Sequence, residues 1–564
     1  MSADQQHADQ RFDNIVTVLI ATVAIWVSIT AYFQNYASNL SDQARRRAQQ
    51  FSIEATKREI NGVIQYSYEW QGAFQTWYEL SLQITAAQQN GDTAAVERYR
   101  ALQERIIPLS KLLSPQYFDA SSLNFPNVSK FEAESYLVES TRLAEIYLAE
   151  SALGNDMDNV ADSLIVQITL LTVSLSLYGL SLALKGRVRW LFVAVGSGIV
   201  AFCMAWMSWS LIQLAGRAEV NEDAINAYAE GVGLSYQGRY DEAIQKFNAA
   251  LEADVFYAKA YYERGNAYLA KGDLGSAIAD MENARFWGME NDVSVNWNLG
   301  WTYYLSGQYA KAVEINNVVL SQRPETIGVR SNQAISYLAM GDFANAQAQY
   351  DLLIQEAQFE VNEARKRNAE PPVSLWLYMD YGALDLQSLI DTLESNPKYW
   401  TQAPPKDLIA GDHAAIRDFA LEQMKRIKEA AVALEYTGQL PASSSATQIV
   451  SFEVGFITAR NEEGLITAFE PAPNGVIPYG EDSFDIEFTY SGKPPQQVIW
   501  KVYINGREDQ SLRKVLTQDL SAGDTWYQSF GYGYTNVFIL ANGEYTVELY
   551  ADNKLLSSVT FYVE

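Results

Sequence analysis

The chain holds two histidines, His7 and His413, and one cysteine, Cys203. The histidines lie far apart, and Cys203 sits inside an apolar run. Nucleophile–histidine catalysis needs both partners in one site, and a zinc site needs several ligands at short spacing, so the sequence offers neither. A lone cysteine also excludes a disulfide within the chain. His413, in Gly411-Asp412-His413, reads as a residue that opens a helix. The remaining candidates for proton transfer are the acidic neighbours Glu462-Glu463 and Glu481-Asp482, each beside glycine, which predicts solvated turns. Asn90-Gly91-Asp92 and Asp351 lack the companions of a calcium loop. No phosphate-cradling glycine loop or dinucleotide fingerprint is present. The sequence predicts no enzyme, no metal and no cofactor. A formal charge of −27 argues against nucleic acid as a partner. The chemistry left is recognition. Trp297 and Trp301 stand at i and i+4, on one face of a helix, as an aromatic anchor pair for a partner or as packing against a neighbouring element.

Those tryptophans sit in the sharpest copy of a repeat with a period of ~34 residues. That copy, Val293–Pro324, carries Leu299-Gly300-Trp301, Gly307-Gln308-Tyr309 and Ala312. Other copies align on Gly231, Gly238, Tyr240 and Ala243; on Gly265, Gly272, Leu274 and Ala277; and on Gly341, Phe343 and Ala346. Over residues 224–358 the pattern resembles the tetratricopeptide repeat. The first glycine of each copy permits close approach of two antiparallel helices, and the second ends a helix in a left-handed conformation. Each pair leaves an apolar face that only a neighbour covers, so the copies must stack as an α-solenoid, expected over 221–358. The resemblance implies a concave groove for a protein segment. Its positions map to Tyr228, Val232, Tyr262, Asn266, Trp297, Trp301, Tyr304 and Ser331. Lys259 and Asn266 match the residue types of the family's carboxylate clamp, but the other basic positions are missing, so capture of a chaperone tail is not expected.

The preceding chain must anchor this solenoid. Residues 1–14 are polar, and 15–36 carry no charge over a length that crosses ~30 Å of hydrocarbon. The acidic start predicts an uncleaved transmembrane helix; cleavage of a signal peptide near Ala37 is the alternative. Residues 40–160 predict a helical bundle with Tyr66, Tyr68, Trp70, Phe74, Trp77 and Tyr78 as its core, or a ligand-sensing bundle of the kind found in bacterial chemoreceptors. Residues 164–184 and 190–214 are two further transmembrane helices, joined by the basic loop 185–189. Ala194, Gly198, Ala201 and Ala205 form a small-residue stripe, expected to pack the three helices together or to support a homo-oligomer in the lipid. The cations of 185–189 place that loop in the cytoplasm and everything after it outside; Arg45–Arg47 argue the reverse.

Beyond the solenoid, 359–437 predict degenerate repeats or a helical cap, and 438–446, with Pro441 and Ser443-Ser444-Ser445, a linker. From Thr447 the apolar period becomes two, as in Val450–Val454, Phe484–Phe488, Val498–Ile504, Tyr545–Tyr550 and Val559–Val563. Residues 447–564 resemble an immunoglobulin- or fibronectin-like β-sandwich, with Trp500 as core tryptophan and hairpin turns at Asn505-Gly506, Asn542-Gly543 and Asp552-Asn553. Trp526–Tyr534 predicts a long loop over a sheet edge, or a glycan-stacking surface. The fold class expected is multidomain and mainly α, with a terminal all-β domain. The function expected is a membrane-anchored scaffold for protein–protein interaction at a bacterial-type cell envelope. A sensory receptor and a glycan-binding surface protein are the alternatives.

Overall fold

The computed structural model describes residues 3–118, 126–216, 220–438, 447–461, 465–492, 495–516, 525–532 and 540–564. Glu462-Glu463 and nearly all of the expected linker lie outside them. The chain divides into two compact units, residues 1–80 with 97–260, and residues 81–96 with 261–564.

In the first unit, α1 (Ala3–Tyr68) is one continuous helix. A π-helical turn, Glu69–Phe74, leads to α2 (Gln75–Gln89), followed by α3 (Thr93–Ile106) and α4 (Val128–Glu132). After a second π turn, α5 (Val138–Ala183) runs back, and α6 (Val188–Ala215) follows. Among the described residues, three helices are long and apolar enough to cross a membrane. No break separates the expected first span from the bundle, because no glycine or proline interrupts 37–61. The arginines that enter the bundle are paired: Arg45 with Asp158 at 2.6 Å and Arg47 with Glu150 at 3.4 Å, both on α5. Aromatics of the bundle pack on one another around Phe74, Tyr117 and Phe131.

The apolar spans interlock through Phe12, Val16, Val23, Leu171, Tyr178, Val193 and Cys203. The small-residue stripe does not do this work. Ala194, Gly198, Ala201 and Ala205 face away from the other helices, and a side chain at Gly198 would meet nothing within 4 Å. Gly196 takes the close contact, where an added Cβ would lie 2.9 Å from the Tyr178 ring. Gln167 is fully buried, its amide donating to Ser210 Oγ at 3.1 Å. The hydroxyls of Thr169 and Thr172 return to their own helix backbone.

The first repeat, α7 (Glu222–Tyr236) and α8 (Tyr240–Ala253), belongs to this unit and rests on the start of α5. Glu145 of α5 holds Lys259 at 2.6 Å and Tyr257 at 3.0 Å. One helix therefore supports a repeat at one end and lies in the apolar bundle at the other.

In the second unit the repeats continue. After α9 (Ala258–Ala270) come α10 (Leu274–Ala284), α11 (Val293–Leu305), α12 (Tyr309–Gln322), α13 (Ile327–Ala339) and α14 (Phe343–Lys366). The glycines act as the pattern requires. Gly272, Gly307 and Gly341 have φ of 78°, 77° and 77°. A Cβ on Gly265 would lie 3.1 Å from Met281, and one on Gly300 would overlap the Asn316 side-chain oxygen. Ala277, Ala312 and Ala346 are fully buried. The cap is α15 (Val373–Leu393) and α16 (His413–Tyr436), which share one core with α11–α14.

The β domain has two sheets. One is ordered β2 (Ile466–Pro471), β1 (Gln448–Arg460), β4 (Ser483–Ser491), β8 (Thr525–Gly531). The other is ordered β3 (Val476–Ile477), β10 (Lys554–Val563), β9 (Gly543–Ala551), β5 (Val498–Ile504), β6 (Arg507–Glu508), with β7 (Lys514–Leu516) also on β5. Trp500 is fully buried and stacks on Phe452 at 5.8 Å. Two expectations change. Trp526–Gly531 is strand, paired along β4, and Trp526 packs on the core. Asn542-Gly543 opens β9 rather than turning a hairpin, whereas Asp552-Asn553 does turn one, at φ of 47° and 65°. β5 is apolar almost throughout because both of its faces are covered. Trp500 and Val502 face the sandwich core, while Ile499 meets Val432 of α16.

Candidate functional site: an occupied groove and an aromatic cavity

The expected groove residues fall into three groups. Tyr228, in the first unit, is buried against Tyr257 at 5.0 Å and Phe247 at 6.0 Å. Tyr304 is fully buried behind Trp301 and Tyr309. Neither offers a face to a partner. Lys259, the one basic clamp-type residue, is already paired with Glu145.

Tyr262 and Asn266 form the second group. They lie one turn apart on α9, half-buried, and converge on Asn298 of α11. The Asn298 amide donates to Tyr262 Oη at 2.9 Å and to Asn266 Oδ1 at 3.0 Å. Burial pushes the Tyr262 phenol up to about 12. Glu263 lies beside them, accepting from the Asn266 amide at 3.4 Å, so this is a polar, hydrogen-bonding surface with an aromatic member, suited to backbone amides and polar side chains of a docked segment.

Trp297 and Trp301 form the third group. Trp297 packs against Tyr378 of α15, ring centroids 5.1 Å apart. Its indole N–H donates to the Asn332 side-chain oxygen at 3.1 Å, while the Asn332 amide donates to Gly328 O at 3.2 Å. Gly328 leaves room for the indole, since a Cβ there would overlap the Trp297 ring. The groove over α11 and α13 is thus filled by the chain's own cap helix. That explains why α13 is buried nearly all round despite Arg330, Ser331, Asn332, Gln333 and Ser336. Most of these polar groups are satisfied locally, as with Gln333 to Asn317 at 2.6 Å.

The filling is incomplete. A cavity of about 430 Å³ remains, lined by both tryptophans, Ser331, Tyr378, Asp385, Trp400 and Arg507, among others. The turn Asn505-Gly506 borders it, where a Cβ on Gly506 would lie 2.7 Å from Leu384 and 3.4 Å from Trp400. Burial pushes the Asp385 carboxyl up to about 8. Sequence reading missed Asp385, Tyr378, Trp400 and Arg507. The one available signal was Gly382 within α15, which marks a close approach: a Cβ there would lie 2.9 Å from Ser331 Oγ.

Beside the cavity, charged side chains join the cap to the β-sandwich. Lys501 of β5 meets Glu508 at 3.1 Å and Glu435 of α16 at 3.7 Å. Arg513 bonds both Glu508, at 2.6 Å, and Glu435. Lys428 pairs with Glu548, and Lys554 with Glu429 at 2.7 Å.

Residues 228–286 match the tetratricopeptide repeat family. No curated protein matches the chain. Among solved structures, the chain is similar to a MamA RS-1 double mutant (19% identity, 28% of this chain and 84% of that one, TM-score 0.23). It is also similar to YrrB, described as a TPR protein with an unusual peptide-binding site (19%, 29% and 82%, 0.23), and to MamA of MSR-1 (17%, 36% and 97%, 0.23).

Proposed function

We propose that this chain is a membrane-anchored scaffold that holds a protein partner on its tetratricopeptide repeats and assembles a complex at a bacterial-type cell envelope. The observation that carries the reading is the match to the repeat family over 228–286, within which Tyr262 and Asn266 present a polar hydrogen-bonding face. The partner segment docks at Tyr262, Asn266 and the exposed edge of Trp301, because α15 already covers Trp297. The work is recognition rather than catalysis. Three apolar helices supply the anchor.

The solenoid and β domain lie outside the cytoplasm in this reading. Two features support that orientation. Two of the three arginines that argued against it, Arg45 and Arg47, pair with Asp158 and Glu150. Arg189 pairs with Asp9 at 2.8 Å and covers Phe12, so the start of α1 and the loop share one end of the bundle, and the exposed Lys185 and Arg187 are the loop cations that carry the orientation.

Two experiments test the proposal. Changing Tyr262 to Phe and Asn266 to Ala together releases a co-purifying partner without lowering the Tm of the chain; a partner retained at wild-type yield sinks the reading. Gly275→Cys on the exposed start of α10 and Lys185→Cys in the loop, each in a Cys203→Ser background, report orientation. Impermeant maleimide on intact cells labels position 275 and spares 185; the reverse pattern puts the repeats inside.

A further inference from the structure

The cavity beside Trp297 carries more unsatisfied chemistry than a packing defect does. Its wall has five large aromatic rings, Trp297, Trp301, Tyr378, Tyr381 and Trp400. Ser331, 2% exposed, has no hydrogen-bond partner for its Oγ among the described residues, and neither does buried Trp400 Nε1. Those two atoms are the buried, unpaired polar groups of the wall; the half-buried Asp385 carboxyl and the exposed Arg507 guanidinium also line it and have no protein partner among the described residues. Buried polar groups left unpaired are costly, and a native fold retains them where something else satisfies them. The volume falls within the range of small-molecule sites, roughly 300–1,000 Å³.

The geometry points to a binding site for a small zwitterion with an apolar body, that is, a free α-amino acid with a large side chain. Its ammonium group pairs with Asp385 and lies against indole and phenol faces, which attract cations. Its carboxylate pairs with Arg507 and accepts from Ser331 Oγ and Trp400 Nε1. Its side chain fills the space beside Trp297 and Tyr378. The site is separate from the Tyr262–Asn266 face and stands whether or not that face binds a protein. Because α15 and the β5–β6 turn both contribute to the wall, an occupied site bridges cap and sandwich.

The test uses the full-length protein in detergent, titrated with L-leucine and L-phenylalanine by calorimetry and thermal shift. N-acetyl-L-leucine lacks the cation, and L-leucinamide lacks the carboxylate. The expected result is binding of at least one free amino acid, about tenfold or more tighter than either blocked form. Asp385→Asn and Arg507→Gln each weaken binding about tenfold or more. Asp385→Asn keeps the shape of the side chain and removes a buried carboxyl, so it folds at least as well as the parent. At pH 7 an Asp385 carboxyl raised to about 8 is mostly protonated, and the amine expels that proton as it binds. That release appears as a binding heat that varies with the buffer's ionisation enthalpy. The phenols facing Asp385 do not titrate near neutrality: burial raises Tyr304 and Tyr350 well above their usual value. The proposal is overturned if neither amino acid binds at about 10 mM. It is also overturned if a blocked form binds as tightly, or if either variant keeps its affinity.

Discussion

Glu435→Gln isolates the joint between helical cap and β-sandwich. Lys501 and Glu508 are each 4% exposed on their side chains, Arg513 17% and Glu435 20%, so these two cations and two anions are largely out of water. Neutralising Glu435 leaves Lys501 and Arg513 facing one carboxylate at Glu508. The lost attraction between Lys501 and Glu435, 3.7 Å apart, is about 4 kcal/mol at an effective dielectric near 20. A charge-assisted bond from Arg513 adds about 1.5–3 kcal/mol. Relief of burying Glu435 itself offsets part of this, and breaking such pairs costs about 3–5 kcal/mol, with partial exposure placing Glu435 at or below the low end. A neighbour modulates the loss. Asp380 is pushed up to about 6, first by burial, with Lys501 lowering it and Glu508 and Glu435 raising it. Above pH 6 Asp380 is ionised and replaces much of the missing negative charge; below it the joint carries excess positive charge. The expected cost is therefore about 1–2 kcal/mol at pH 7.5, rising to about 3 at pH 5. In calorimetry of the full chain this is a drop of several degrees in the transition that exposes Trp500, larger at pH 5. Glu453→Gln, on the exposed face of β1, serves as control and leaves that transition in place. A Tm for Glu435→Gln within about 1 °C of the parent at both pH values refutes the reasoning.

Three further outcomes follow from the same geometry. Gly231→Ala places a methyl 2.5 Å from the fully buried Phe247 ring and destabilises the first repeat by about 1–3 kcal/mol, read as lost hydrogen-exchange protection in α7 and α8. In α6, Gly196→Leu disrupts the packing on Tyr178 and lowers Tm in detergent, while Gly198→Leu does not; equal effects would contradict the inward assignment of Gly196. Asp385→Asn changes the pH dependence of stability. A carboxyl raised from its unfolded value near 3.9 to about 8 holds a proton in the folded chain that the unfolded chain releases, so its stability is intact below pH 4 and is lost as pH rises to 8. The variant therefore gains over the parent across pH 4–8, by no more than about 5 kcal/mol and less with partial exposure, and matches it at pH 4.

The repeats were readable because their constraints are local. A glycine at a left-handed turn, a glycine against a facing side chain and a buried alanine each demand one residue type, and they recur in phase. What fills the groove was not readable, because Trp297 and Trp301 look the same whether their partner is another protein or Tyr378 of the same chain. β5 read as a strand for its β-branched and aromatic run, but its second buried face depends on α16 and on pairing Lys501, which no period reports. The aromatic stretch Trp526–Tyr534 read as a loop over a sheet edge or a glycan-stacking surface, whereas pairing with β4 makes Trp526–Gly531 strand. In α6 a stripe of small residues predicted close packing, yet Val193, Gly196, Cys203 and Met207 turn inward, and Gly198 turns out. A change in hydropathy near residue 37 suggested a domain boundary, but hydropathy does not break a helix, and α1 runs through it.

The most direct test of the scaffold claim is photocrosslinking in native membranes. An aryl-ketone phenylalanine replaces Tyr262 on the proposed docking face, and in a second strain Gly275 on the exposed start of α10. The account predicts a discrete protein adduct from position 262 and none from 275. No adduct at 262, or the same adducts from both positions, would contradict it.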